Sequence, residues 1–101
     1  MIRHIVMFKF KEEAEGRSKK ENVLLTKEML ESLPEKIPQI LNSEVYFNTE
    51  GANGENADLI LISDFESLES LNEYIVHPDH KAVGAFMSPL RKSRAGIDLT
   101  L

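Results

Sequence analysis

Apolar positions recur in two periods along this chain, and the change from one period to the other marks out its elements. Residues 2–10 read as a strand. Ile2, His4, Val6, Phe8 and Phe10 share one face, while Ile5 and Met7 lie on the other between Arg3 and Lys9. A strand with one solvated face would alternate more cleanly, so this pattern predicts that both faces are covered. Residues 11–17 are charged, contain Gly16 and read as a loop. Ser18 and Glu21 then fit a capping box, which satisfies free N–H groups at a helix start. Val23, Met29, Leu30 and Leu33 fall on one arc of roughly 120°, as an amphipathic helix requires. Leu25 borders that arc, and Leu24 lies outside it, where it could touch a partner. The helix is expected to stop before Pro34, and Pro38 keeps the next stretch extended.

A second strand is expected over about 41–48, with Val45 and Phe47 on one face and Tyr46 on the other. The loop at 49–56 holds Asn53-Gly54, a turn signal because both residues tolerate positive φ. The third strand, 58–65, has an apolar run from Leu59 to Ile62 on both faces, as in a central strand. Ser67 can cap a helix carrying Leu68, Leu71, Tyr74 and Ile75. His77-Pro78 breaks it and opens another, with Val83, Phe86, Met87 and Leu90 at i, i+3, i+4 and i+7. A last strand over about 95–101 alternates Ile97, Leu99 and Leu101 with Asp98 and Thr100.

The order is β-α-β-β-α-β, the split βαβ plan of a ferredoxin-like α+β fold. The expectation is one domain over residues 1–101, with a four-stranded antiparallel sheet carrying both helices on one face. The bare face would keep part of the apolar set, and a large exposed apolar face marks an interaction surface. Its simplest cover is the same face of a second copy across a two-fold axis, which predicts a homodimer.

Composition narrows the function classes. The formal net charge is −5, which repels phosphate backbones, so no nucleic-acid partner is expected. The chain has no cysteine, which removes disulfides, thiolate metal sites and cysteine nucleophiles. The longest purely aliphatic run, Leu59 to Ile62, is far too short to span a membrane. No membrane partner and a cytoplasmic location are expected. Gly51 and Gly54 precede a strand, not a helix, so they form no phosphate cradle, and no nucleophile elbow or dinucleotide fingerprint is present.

Several segments together resemble the stress-responsive A/B barrel (Dabb) family. They are the opening Ile2-x-His4-Ile5-Val6-x-Phe8-Lys9-Phe10, the Leu33-Pro34…Ile37-Pro38 segment, the signature-like Tyr74-Ile75-Val76-His77-Pro78-Asp79-His80, and the closing Ile97-Asp98-Leu99. The resemblance implies a dimeric α+β barrel, with two sheets face to face around a central pore or pocket. Most bacterial-type members have no assigned activity, and some plant members are stress or defence proteins. One plant member is a cofactor-free polyketide cyclase. By position its catalytic pair falls on Tyr74 and His80, and its strand histidine falls on His4. This sequence departs from it at Leu59, where the cyclase has a pocket histidine, and at Met29 and Leu30, near a pocket tyrosine. A less polar pocket for a small hydrophobic ligand follows, and the cyclase's own substrate does not transfer.

On this reading His80 is a candidate general base and Tyr74 an oxyanion partner, suited to a lyase, cyclase or isomerase acting on an aromatic or β-keto carbonyl compound without a cofactor. His4, Phe8, Leu59 and His77 are the expected ligand-lining residues. The competing reading is a non-catalytic ligand-binding or stress protein. In it His77 and His80 brace the helix break, Tyr74 is a core ring with its hydroxyl bonded to backbone, and His4 is a satisfied buried histidine. His77 and His80 are spaced i, i+3 with Asp79 between them, a weak metal pattern, and no metal is expected. A haem- or oxygen-dependent monooxygenase shares the architecture, but these residues do not match its patterns.

Overall fold

The computed structural model describes residues 1–101. The chain runs β1 (Ile2–Phe10), β2 (Glu13–Ala14), β3 (Arg17–Ser18), α1 (Lys19–Glu31), α2 (Leu33–Lys36), β4 (Asn42–Phe47), β5 (Leu59–Phe65), α3 (Leu68–Val76), α4 (Pro78–Met87) and β6 (Arg91–Thr100). The main sheet has the order β4-β5-β1-β6 and is antiparallel throughout. This is a ferredoxin-like α+β fold. No helix is long and apolar enough to cross a membrane.

The two central strands carry the core. Val6, Phe8 and Phe10 of β1 and Leu59, Leu61 and Phe65 of β5 are buried beneath the helices, with Val45 of β4 beside them. Each such side chain withdrawn from water contributes about 1.5–3 kcal/mol. From above, Val23 and Leu30 of α1, Leu71 and Tyr74 of α3, and Val83 and Met87 of α4 close this layer. On the other face lie Ile5, Met7, Ile60, Ile62, Ala95, Ile97 and Leu99. No helix covers them, and Met7 and Ile97 are exposed.

Several local expectations hold in detail. Ser18 Oγ accepts from Glu21 N, and Glu21 Oε1 accepts from Ser18 N, completing the capping box. Ser67 caps α3 by accepting from Ser70 N. Helix α1 ends at Glu31, and Pro34 sits in the first turn of the short α2.

Others are corrected. Residues 11–17 are no simple loop, because β2 and β3 form a small hairpin. Glu15 and Gly16 turn it with φ of 55° and 75°, the left-handed pair that a tight hairpin needs. Buried Asn22 docks the hairpin on α1, accepting from Arg17 Nε at 2.7 Å and donating to the Ala14 carbonyl. On α1, Asn22 and Thr26 are therefore more deeply buried than Met29. Thr26 is satisfied by donating to the Asn22 carbonyl. In the β4–β5 loop the left-handed residue is Gly51, not Gly54, and Asn53 turns the chain by accepting from Glu55 N through its side chain. On α3 only Leu71 and Tyr74 are buried, while Leu68 and Ile75 face outward. Phe47 lies at the sheet edge with the Lys27 ammonium over its ring. The last strand starts at Arg91, four residues before the apolar pattern begins.

Candidate functional site

Four ring-bearing residues converge between the sheet and the helix break at Pro78. Tyr74, in the last turn of α3, points down onto the sheet and is 1% exposed. Its ring centroid lies 4.9 Å from Phe65, 6.1 Å from His4 and 4.4 Å from His80. Three of the six residues expected to line or act in a site thus meet at one place. They are 70 and more positions apart in the chain for His4 and Tyr74, and the β1–β5 pairing plus the α3–α4 break brings them together.

The two central histidines are held differently. His80, in the first turn of α4, donates Nδ1–H to the Ile75 carbonyl at 3.0 Å. A carbonyl only accepts, so the proton sits on Nδ1 and Nε2 carries the free lone pair. Burial holds the His80 pKa below its ordinary 6.5. The Ile75 carbonyl opposes that shift, and His4, Arg94 and His77 reinforce it. Its neutral, proton-accepting form therefore dominates at neutral pH. His4 Nδ1–H donates to Asp98 Oδ1 at 2.5 Å across the β1–β6 pairing.

Tyr74 supplies the opposite chemistry. Burial pushes its phenol pKa up to about 12, only partly offset by Arg94. It stays protonated and is a hydrogen-bond donor at any ordinary pH. Its hydroxyl bonds to no protein group and is not sealed from solvent, so it can donate to a bound molecule. The site thus offers one free base nitrogen and one free phenolic donor against the same ring stack.

The sequence matches the stress responsive A/B barrel domain over residues 2–101. The chain belongs to that family. Among solved structures it is similar to a dimeric protein of unknown function with a ferredoxin-like fold from Bacteroides fragilis NCTC 9343. That likeness has 33% identity and a TM-score of 0.86, over 99% of this chain and 95% of the other. A dimeric ferredoxin-like protein of unknown function from Thermobifida fusca gives 26% identity and a TM-score of 0.83, over 99% and 90%. The hydroxynitrile lyase of Passiflora edulis shares the fold at 14% identity and a TM-score of 0.81, over 99% and 92%. No curated protein sequence matches significantly.

The remaining expected site residues of this A/B barrel domain lie elsewhere. His77 is the N-cap of α4, its Nδ1 accepting from Asp79 N at 3.1 Å. Phe8 and Leu59 pair with each other in register on the helix side, but four residues along β1 from His4, and both are buried. At about 3.3 Å per residue that is some 13 Å from the ring cluster. The ring cluster itself sits on the helix side of the sheet. The largest hollow, of about 700 Å³, is also separate. It lies at the sheet end beside the β4–β5 loop and is bordered by Met7, Phe47, Leu59, Ile60 and Arg94. No group of three or more His, Asp or Glu side chains is placed to hold a metal ion.

Sequence reading missed Asp98 and Arg94. Both lie on β6 positions that face the helices, opposite His4 and Phe8. The available signal was Asp98 itself, an acid in register with a strand histidine. Arg94 fell before the strand as it was drawn from apolar alternation.

Proposed function

We propose that this protein is a homodimeric barrel whose subunits each carry a cofactor-independent proton-transfer site for a small carbonyl compound. His80 Nε2 is the base and the Tyr74 hydroxyl is the oxyanion donor. The observation that carries this reading is the His80 Nδ1–H to Ile75 carbonyl bond, which fixes a neutral tautomer with its basic nitrogen free. Nε2 takes the proton from a carbon next to a carbonyl. The C–H electron pair moves into the enolate, and Tyr74 O–H donates to the oxygen that gains charge. Return of the proton to a different atom gives isomerisation, and loss of a group at the neighbouring carbon gives a lyase. The same fold carries lyase chemistry in the Passiflora edulis enzyme.

The homodimer rests on the bare face. Ile5, Ile62, Ile97 and Leu99 make an apolar stripe too large to leave to water, and the Bacteroides and Thermobifida relatives are described as dimers. Pairing there leaves the ring cluster on the opposite side, one site per subunit. A second reading, a non-catalytic carrier or stress protein for a small hydrophobic ligand, is favoured by the separate hollow beside Met7 and Phe47.

The test is deuterium exchange into the acidic C–H positions of acetoacetate and acetophenone, followed by NMR. The wild type is expected to accelerate exchange of at least one probe above buffer, and His80→Ala is expected to lose at least 100-fold of that acceleration. Equal exchange by the two proteins would refute the catalytic reading and leave the ligand carrier.

A further inference from the structure

The helices pack on β1, β4 and β5, and β6 is left uncovered even on the helix side. Every residue from Lys92 to Asp98 is exposed. The positions 94, 96 and 98 face the same way as Phe8, Val6 and His4. They form an exposed floor on the helix side, next to the ring cluster.

The middle of that floor is Gly96. A Cβ built there would meet the Arg94 side chain, at 3.2 Å from Nη1, 3.4 Å from Nη2 and 3.5 Å from Cζ. The two terminal nitrogens are nearer than Cζ, so the side chain runs along β6 and brings its N–H end over the glycine. It forms no ion pair, although the chain is acidic overall. The one carboxylate on the same floor, Asp98, is already engaged by His4.

We propose that Arg94 is the substrate-recognition residue of this site and that it selects a ligand bearing a carboxylate. This inference rests on the proton-transfer reading above and adds the substrate class to it. The carboxylate sits against the guanidinium N–H edge, above the group that itself lies over Gly96, where a planar fork matches a planar anion. The reacting carbon then lies toward the Asp98 end, beneath His80 and Tyr74. Asp98 repels a second negative group, which fixes the direction of the ligand along β6. Gly96 and Asp98 are two residues apart on an extended strand, roughly 6–7 Å. The preferred ligand is therefore a small keto or aromatic acid with about that distance between carboxylate and reacting centre. A free guanidinium and a free phenol provide two donors without protein acceptors, which suits an anion better than a neutral ester or amide.

The experiment titrates benzoate and its neutral isostere benzamide into the full chain while following the His80 and Tyr74 ring resonances by NMR. Benzoate is expected to shift both rings and to bind at least tenfold more tightly than benzamide. Arg94→Leu is expected to abolish that preference, and Arg94→Lys to retain part of it. Arg94 is exposed on an edge strand, so both variants are expected to fold, with circular dichroism as the control. If benzamide titrates as tightly as benzoate, or Arg94→Leu leaves the benzoate titration unchanged, the Arg94 assignment falls while the site reading stands. If neither compound moves either ring, both fall.

Discussion

Replacing Tyr74 with Phe separates the two roles open to that side chain. The ring is 1% exposed and stacks on Phe65 and His80, so removing it altogether, as in Tyr74→Ala, is expected to cost about 3–5 kcal/mol. The hydroxyl is different, because it bonds to no protein group. Were it bonded to backbone, its loss would cost about 1–3 kcal/mol by leaving a buried partner unsatisfied. With no partner to orphan, Tyr74→Phe is expected to change stability by less than about 0.5 kcal/mol. At an m-value of about 1.5 kcal/mol/M, the urea midpoint would move by less than about 0.3 M. The same change removes a donor to an oxygen gaining charge, worth about 1.5–3 kcal/mol, so probe exchange is expected to fall about 10- to 100-fold. Chemical unfolding followed by circular dichroism, run beside the exchange assay, reads both. A destabilisation above 1 kcal/mol with exchange unchanged would refute the reasoning, since the hydroxyl would then be structural.

Because the folded His80 pKa lies below 6.5, the unfolded chain binds the proton more readily, and stability is expected to fall as pH drops from about 6.5 through the folded value. His80→Gln should flatten that part of the stability–pH curve, and an unchanged curve would contradict the burial argument. Ile62→Asp puts a charge at the centre of the bare face, opposite Ile5, and is expected to give a folded monomer by light scattering. A dimer that persists would move the interface elsewhere. Gly16 turns the β2–β3 hairpin at φ 75°, so Gly16→Val is expected to cost about 1–2 kcal/mol in urea unfolding, although a Cβ meets nothing there. Removing the α4 cap with His77→Ala is expected to cost about 0.5–2 kcal/mol and leave probe exchange intact, which would separate His77 from the ring cluster.

Much of the fold was legible because hydrophobic burial writes itself as periodicity. The two-faced apolar runs of β1 and β5 are the central strands, and the cap signals at Ser18 and Ser67 mark real helix starts. Where tertiary structure hides a polar group, the pattern misleads. Asn22 is buried because its side chain ties down a hairpin, a pairing that no periodicity announces. Strand β6 begins with Arg-Lys-Ser-Arg because an edge strand uncovered by helices needs no apolar alternation. The same exposure hid Arg94. His4, Tyr74 and His80 stood out as residue types, and the resemblance grouped them. Their placement under the helices, and the dependence of His4 on Asp98, needed the strand register. Phe8 and Leu59 look alike in sequence whether they line a ligand or fill a core, and the strand register sets them four residues along β1 from His4.

The central claim is that His80 presents a neutral imidazole with Nε2 free, and long-range nitrogen–proton NMR on ring-labelled histidine tests it most directly. At pH 7 the account predicts a His80 spectrum with the proton on Nδ1 and an unprotonated Nε2. A proton on Nε2, or a fully protonated ring at that pH, would contradict it.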